Sequence, residues 1–137
     1  MRAAMRLALL GPLVLTAACS DWAGPGRTPV QAPIDQLFVV SAQGADRPIV
    51  VALLYGLIDS CHSPGRVEVE RGSDHIIVRA MSVRDDNAGG CRLRYAQVPD
   101  TVELEPPFGS VVTIEPANAP DSLRRVVNFG DRSGTSY

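Results

Sequence analysis

The sequence predicts an all-β domain, and three observations predict it. Short strand-like runs rich in Val, Ile and Leu recur at near-regular spacing, clusters of Gly, Pro, Asp and Asn separate them, and no segment sustains helical spacing. About eight short strands are expected, folded as an antiparallel β-sandwich. An immunoglobulin-like arrangement is favoured over a small closed β-barrel. The 137 residues leave about 100 for the body once terminal segments are set aside, enough for one core and too few for two. Aromatics make up only 5% of the chain, so that core must be aliphatic.

The body is expected over Ile34 to Phe129, beginning with a strand at Gln36 to Ser41. Ile49 to Tyr55, IVVALLY, is apolar on both faces and reads as a central strand covered on each side. VEVERGSDHIIVRA reads as a hairpin. Val67 and Val69 alternate with Glu68 and Glu70, Gly72-Ser73 supplies a type II′ turn, and His75 to Ala80 runs back. Cys91, Leu93 and Tyr95 share one face of the next strand, expected to point into the core, with Arg92 and Arg94 on the other. If that strand neighbours the hairpin, Arg92 and Arg94 pair with Glu68 and Glu70. Val102 and Leu104 alternate with Thr101, Glu103 and Glu105, and strands at Gly109 to Glu115 and Leu123 to Phe129 complete the set. Pro106-Pro107-Phe108-Gly109 is a turn that offers an exposed aromatic side chain. Residues 130–137, GDRSGTSY, are expected to form a frayed tail.

The N-terminus has a different character. MRAAMR supplies two positive charges, LALLGPLVL an apolar run too short to span a bilayer, and TAA small residues directly before Cys19. This is the order of an export signal. At Leu15-Thr16-Ala17-Ala18-Cys19 the segment resembles the lipobox of bacterial lipoproteins, with Thr16 at the position most often held by Leu. The resemblance implies that residues 1–18 are a signal peptide cut off before Cys19. It also implies that the Cys19 thiol carries diacylglycerol, and that the membrane is a partner through that lipid. Residues 19–33 are rich in Pro and Gly and read as a linker that holds the body up to roughly 40 Å from the lipid in polyproline II form. Trp22 suits either the headgroup level or a weakly packed linker.

With Cys19 assigned to lipid, Cys61 and Cys91 are an even pair, expected as a disulfide in an exported protein. The alternative is a metal site of Cys61, His62, His75 and Cys91, whose spacing matches no compact ligand motif. His62 is then expected in an exposed loop and His75 at a strand start. Asp59, Ser60, His62, Asp74 and His75 hold the residue types of a hydrolase triad, but there is no GxSxG elbow. Arg84 to Gly90 lacks the ligand order of a calcium loop and reads as a solvated turn. No motif requires a cofactor.

All 13 basic residues are arginine, a composition-wide preference rather than a set of chosen anion clamps. Without residues 1–18, which hold Arg2 and Arg6, 11 arginines face 15 acidic residues, a net charge of −4. Such a balance argues against nucleic acid as a partner. The reading is a cell-envelope lipoprotein, membrane-anchored by lipid, that binds or scaffolds an envelope protein. An accessory or inhibitory subunit docking through Glu105 to Ser110 is the alternative, and a small metal-binding protein or enzyme the third.

Overall fold

A computed structural model describes residues 22–72 and 74–130. The signal-like segment, Cys19, Ser73 and residues 131–137 of the expected tail lie outside the described residues. Eight strands follow one another: β1 (Arg27–Ala32), β2 (Ile34–Ala42), β3 (Ile49–Asp59), β4 (His62–Arg71), β5 (His75–Asp85), β6 (Leu93–Leu104), β7 (Val111–Pro116) and β8 (Arg125–Asn128). Among the described residues a single 3-10 turn, Asp121–Leu123, precedes β8, and no helix is long and apolar enough to cross a membrane.

The strands form two packed sheets, so the expected sandwich is the fold. One sheet runs β2-β3-β6, with β3 at its centre. In the other, β4 lines one edge of β5. Along the opposite edge β1 pairs with Ala80–Asp85 and β7 with His75–Val78, and β8 follows β7. One ladder departs from the antiparallel expectation: β7 runs parallel to β5, because the chain returns from the other sheet through β6 before entering β7. Apolar side chains from both inner faces meet between the sheets. Leu37, Ile49, Val51, Leu53, Tyr55 and Leu104 on one side pack against Ile76, Val78, Ala80, Val112 and Ile114 on the other.

Several expectations need correction. The linker does not reach Pro33: β1 is a full strand bonded to β5, and Trp22 and Ala23 are already docked on the body. The hairpin of β4 and β5 forms, but its turn lies one residue later. Gly72 donates its N–H to the His75 carbonyl at 2.8 Å and is not among the glycines of positive φ. Central strand β3 is covered by the facing sheet on its inner side only; on the outer side Val50, Ala52 and Leu54 are half-buried beside exposed Phe38.

The inward face of β6 is Ala96, Val98, Val102 and Leu104, so Leu93 and Tyr95 point outward, and Cys91 precedes the strand. Alternation told correctly that Leu93 and Tyr95 share a face, but Cys91 lies outside the strand, and only the facing sheet decides which face is buried. Because β4 and β6 lie in different sheets, the pairs expected between them do not form. Glu68 pairs with Arg66 at 3.0 Å and Glu70 approaches Arg79 at 3.9 Å.

Candidate functional site

One end of the sandwich gathers the chain's polar chemistry around the Cys61–Cys91 disulfide, whose Cα atoms are 5.4 Å apart. Three segments converge there. Strand β3 ends at Asp59 and turns through Ser60 and Cys61 into β4. Strand β5 ends at Asp85 and leads through Asp86 to Cys91. Residues 22–26 wrap the same end before entering β1, with Gly24 and Gly26 both at positive φ to make the reversal. Backbone bonds lock the segments together: Asp85 N–H to the Cys61 carbonyl at 2.9 Å, Ser60 N–H to the Arg92 carbonyl at 3.0 Å, and Asp86 N–H to the Gly26 carbonyl at 2.9 Å. The Thr28 hydroxyl donates to Asp86 at 2.6 Å, which with Arg84 holds that carboxyl below its ordinary pKa.

Asp59 organises the turn. One of its oxygens accepts the Cys61 N–H at 2.8 Å and contacts His62 Nδ1 at 2.6 Å. These bonds, the histidine's first, hold the Asp59 carboxyl below the usual range. An ionised carboxylate only accepts, so Nδ1 carries the proton it shares and Nε2 is the ring's remaining nitrogen. The His62 side chain is only 6% exposed, not the exposed loop residue the sequence suggested. It lines a cleft of about 460 Å³ with Arg27, Ser60, Ser63, Asp85 and Asn87. A cleft of equal volume at the other end, lined by Ala42 to Asp46, Asn128 and Phe129, holds Asp46 as its one titratable group. Chemistry therefore favours the disulfide end.

The two histidines do not meet. In the β4·β5 register His62 lies opposite Arg84, nine residues along β5 from His75, or about 30 Å at strand rise. His75 instead contacts Glu115 at 2.6 Å, in a surface chain that continues through Arg124 to Asp121. The triad residue types are thus split between two ends. The serine hydroxyls near His62 are engaged elsewhere: Ser60 Oγ accepts the Arg92 N–H at 2.9 Å, and Ser63 Oγ accepts from Arg27 at 3.1 Å. The proposed Cys61, His62, His75 and Cys91 ligand set is split in the same way. Asp59 and the two sulfurs do lie within 4.8 Å of one another, but disulfide sulfurs carry no thiolate for a metal.

Two further features were missed in the sequence. The Arg66 guanidinium sits 4.5 Å over the Trp22 ring, tying the N-terminal strap to β4. Arg71 donates to the carbonyls of Glu105 and Pro107 and lies 4.6 Å over the Phe108 ring. Phe108 is buried against Phe129, ring centroids 6.2 Å apart, so it is not the exposed aromatic expected of its turn. Both contacts join residues far apart in the chain, and no local pattern signals them. Fold and site together define a disulfide-linked β-sandwich with a polar cleft at its strapped end. Comparison with protein-family models, with curated proteins and with solved structures gave no match.

Proposed function

We propose that the protein is a lipoprotein of the bacterial cell envelope, anchored by lipid on Cys19, whose sandwich binds or scaffolds an envelope partner without catalysis. The observation that carries this reading is the pairing of the cysteines. Cys61 and Cys91 are joined, which suits an oxidising compartment and leaves Cys19 alone at the end of the export-like segment. What supports a non-catalytic role is the separation of the two histidines and the engagement of the nearby serine hydroxyls. An accessory subunit docking through Glu105 to Ser110 has less to offer, since Arg71 holds that loop and Phe108 faces inward.

The test is fractionation and mass spectrometry of the full chain from a bacterial host. The native chain is expected in the membrane fraction with a diacylglycerol-modified N-terminal Cys19, and Cys19→Ser in the soluble fraction or unprocessed. Unchanged membrane retention of Cys19→Ser overturns the reading.

A further inference from the structure

We infer that the disulfide end of the sandwich rests directly on an anionic phospholipid surface, with Ile58, Arg92, Leu93 and Arg94 as its contact. The inference rests on the anchored reading of Cys19 and deepens it, from a protein tethered to a membrane to one seated on it in a fixed orientation.

Distance carries the first half of the argument. Trp22 is part of the body: its ring lies under Arg66, and Ala23 beside it is buried. Its ring also closes on Gly65, three residues along β4 from His62 and so about 10 Å from the tip. Only three peptide steps separate Trp22 from Cys19, and fully extended they reach about 11 Å. A lipidated Cys19 therefore leaves no room for the roughly 40 Å stand-off of a free linker. The bilayer surface must come within a few residues of the strapped end.

The chemistry of that end carries the second half. Arg92, Leu93, Arg94 and Tyr95 are all exposed, Leu93 to 96%. Ile58, next to the Asp59 that pairs with Leu93 in register, is 49% exposed. Among the described residues neither Arg92 nor Arg94 has an ion-pair partner, whereas Arg66, Arg79, Arg84 and Arg124 all do. A fully exposed leucine between two free guanidinium groups is poorly suited to water in a processed chain with net charge −4. It suits an interface where the apolar side chain enters the acyl boundary and the cations meet lipid phosphates.

The experiment uses the full lipidated chain in vesicles of phosphatidylcholine and phosphatidylglycerol with brominated acyl chains. Each variant carries Trp22→Phe, so that a single introduced tryptophan reports. Leu93→Trp is expected to be quenched several-fold more than Asp46→Trp, which sits in the turn at the opposite end of β3. Adding Arg92→Glu and Arg94→Glu is expected to cut that quenching by half or more. Native chain on the same vesicles supplies a second readout, with slowed amide exchange expected at residues 92–97 and none at 43–48. Equal quenching at both positions and no change in exchange, in protein that floats with the vesicles, overturns the seating and leaves the anchor standing. Flotation that persists in Cys19→Ser overturns the anchor itself.

Discussion

Tyr95 shows how one exposed side chain organises a sheet face. It reaches from edge strand β6 across central strand β3, and its hydroxyl donates to Asp35 of β2, which also accepts from Gln97 at 3.1 Å. The crossing is possible because residue 56 is glycine: a Cβ there would occupy the space of the Tyr95 ring. The bond to the Asp35 carboxylate, helped by partial burial and by its charge, pushes the phenol up to about 12. Tyr95→Phe is therefore expected to remove a high-pH step from the ultraviolet absorbance titration and to lower stability by about 1 kcal/mol in urea unfolding. Gly56→Ala is expected to displace the ring and return the Tyr95 titration toward its ordinary value near 10. An unchanged titration in Gly56→Ala would show that ring and carboxylate stay bonded without the crossing.

At the scale of elements, the irregularity in β4 is where strap and sandwich meet. Register shifts between Pro64 and Val67, and Gly65 lies against the Met81 carbonyl and the Trp22 ring. Burial and then the Asp100 charge raise the Tyr55 pKa, and the Gly65 backbone partly offsets them. A Cβ at Gly65 would strike a backbone oxygen, which cannot swing aside as a side chain can. Gly65→Ala is thus expected to cost roughly 1–3 kcal/mol, read as a lower urea midpoint at unchanged slope. The disulfide acts on the neighbouring turn. Its closed loop, with a sequence separation of 30, contributes about 3.6 kcal/mol on loop-closure entropy. Cys61→Ser with Cys91→Ser is expected to lower unfolding stability by about that much.

These elements also mark what the sequence discloses. Alternation around Val67 to Ala80 and the apolar run at Ile49 are local signals, and both became strands, though the second is covered by a sheet on one face rather than two. The Cys61–Cys91 pair was legible by parity, and the bond is present. What could not be read depends on distant neighbours: β1 becomes a strand because β5 offers it an edge, and Leu93 faces water because the facing sheet packs on the other face of β6, that of Ala96 and Val98. Trp22 is held by Arg66, 44 positions away in numbering, with no pattern around either residue to announce it.

For the whole molecule, pH acts on stability from both sides, through groups far apart on the sandwich. Glu115, bonded by Arg124 and then His75, is held below its ordinary pKa, as are Asp59 and Asp86 at the disulfide end. A carboxyl depressed by folding contributes stability above its unfolded pKa, about 4, and loses it as pH falls through the lower folded value. Tyr95 works in the opposite sense. Its folded pKa of about 12 lies above the unfolded value near 10, so its contribution is complete below pH 10 and fades as pH rises toward 12. Thermal unfolding is therefore expected to show an acid limb that begins below about pH 4 and an alkaline limb that begins above about pH 10. Glu115→Gln should make the acid limb shallower and leave the alkaline one alone, and Tyr95→Phe should do the reverse. Because the two groups sit on different sheets with no shared partner, the double variant should shift both limbs by the sum of the single effects. A Tm profile in which either single variant alters both limbs would mean that the two sheets do not titrate independently.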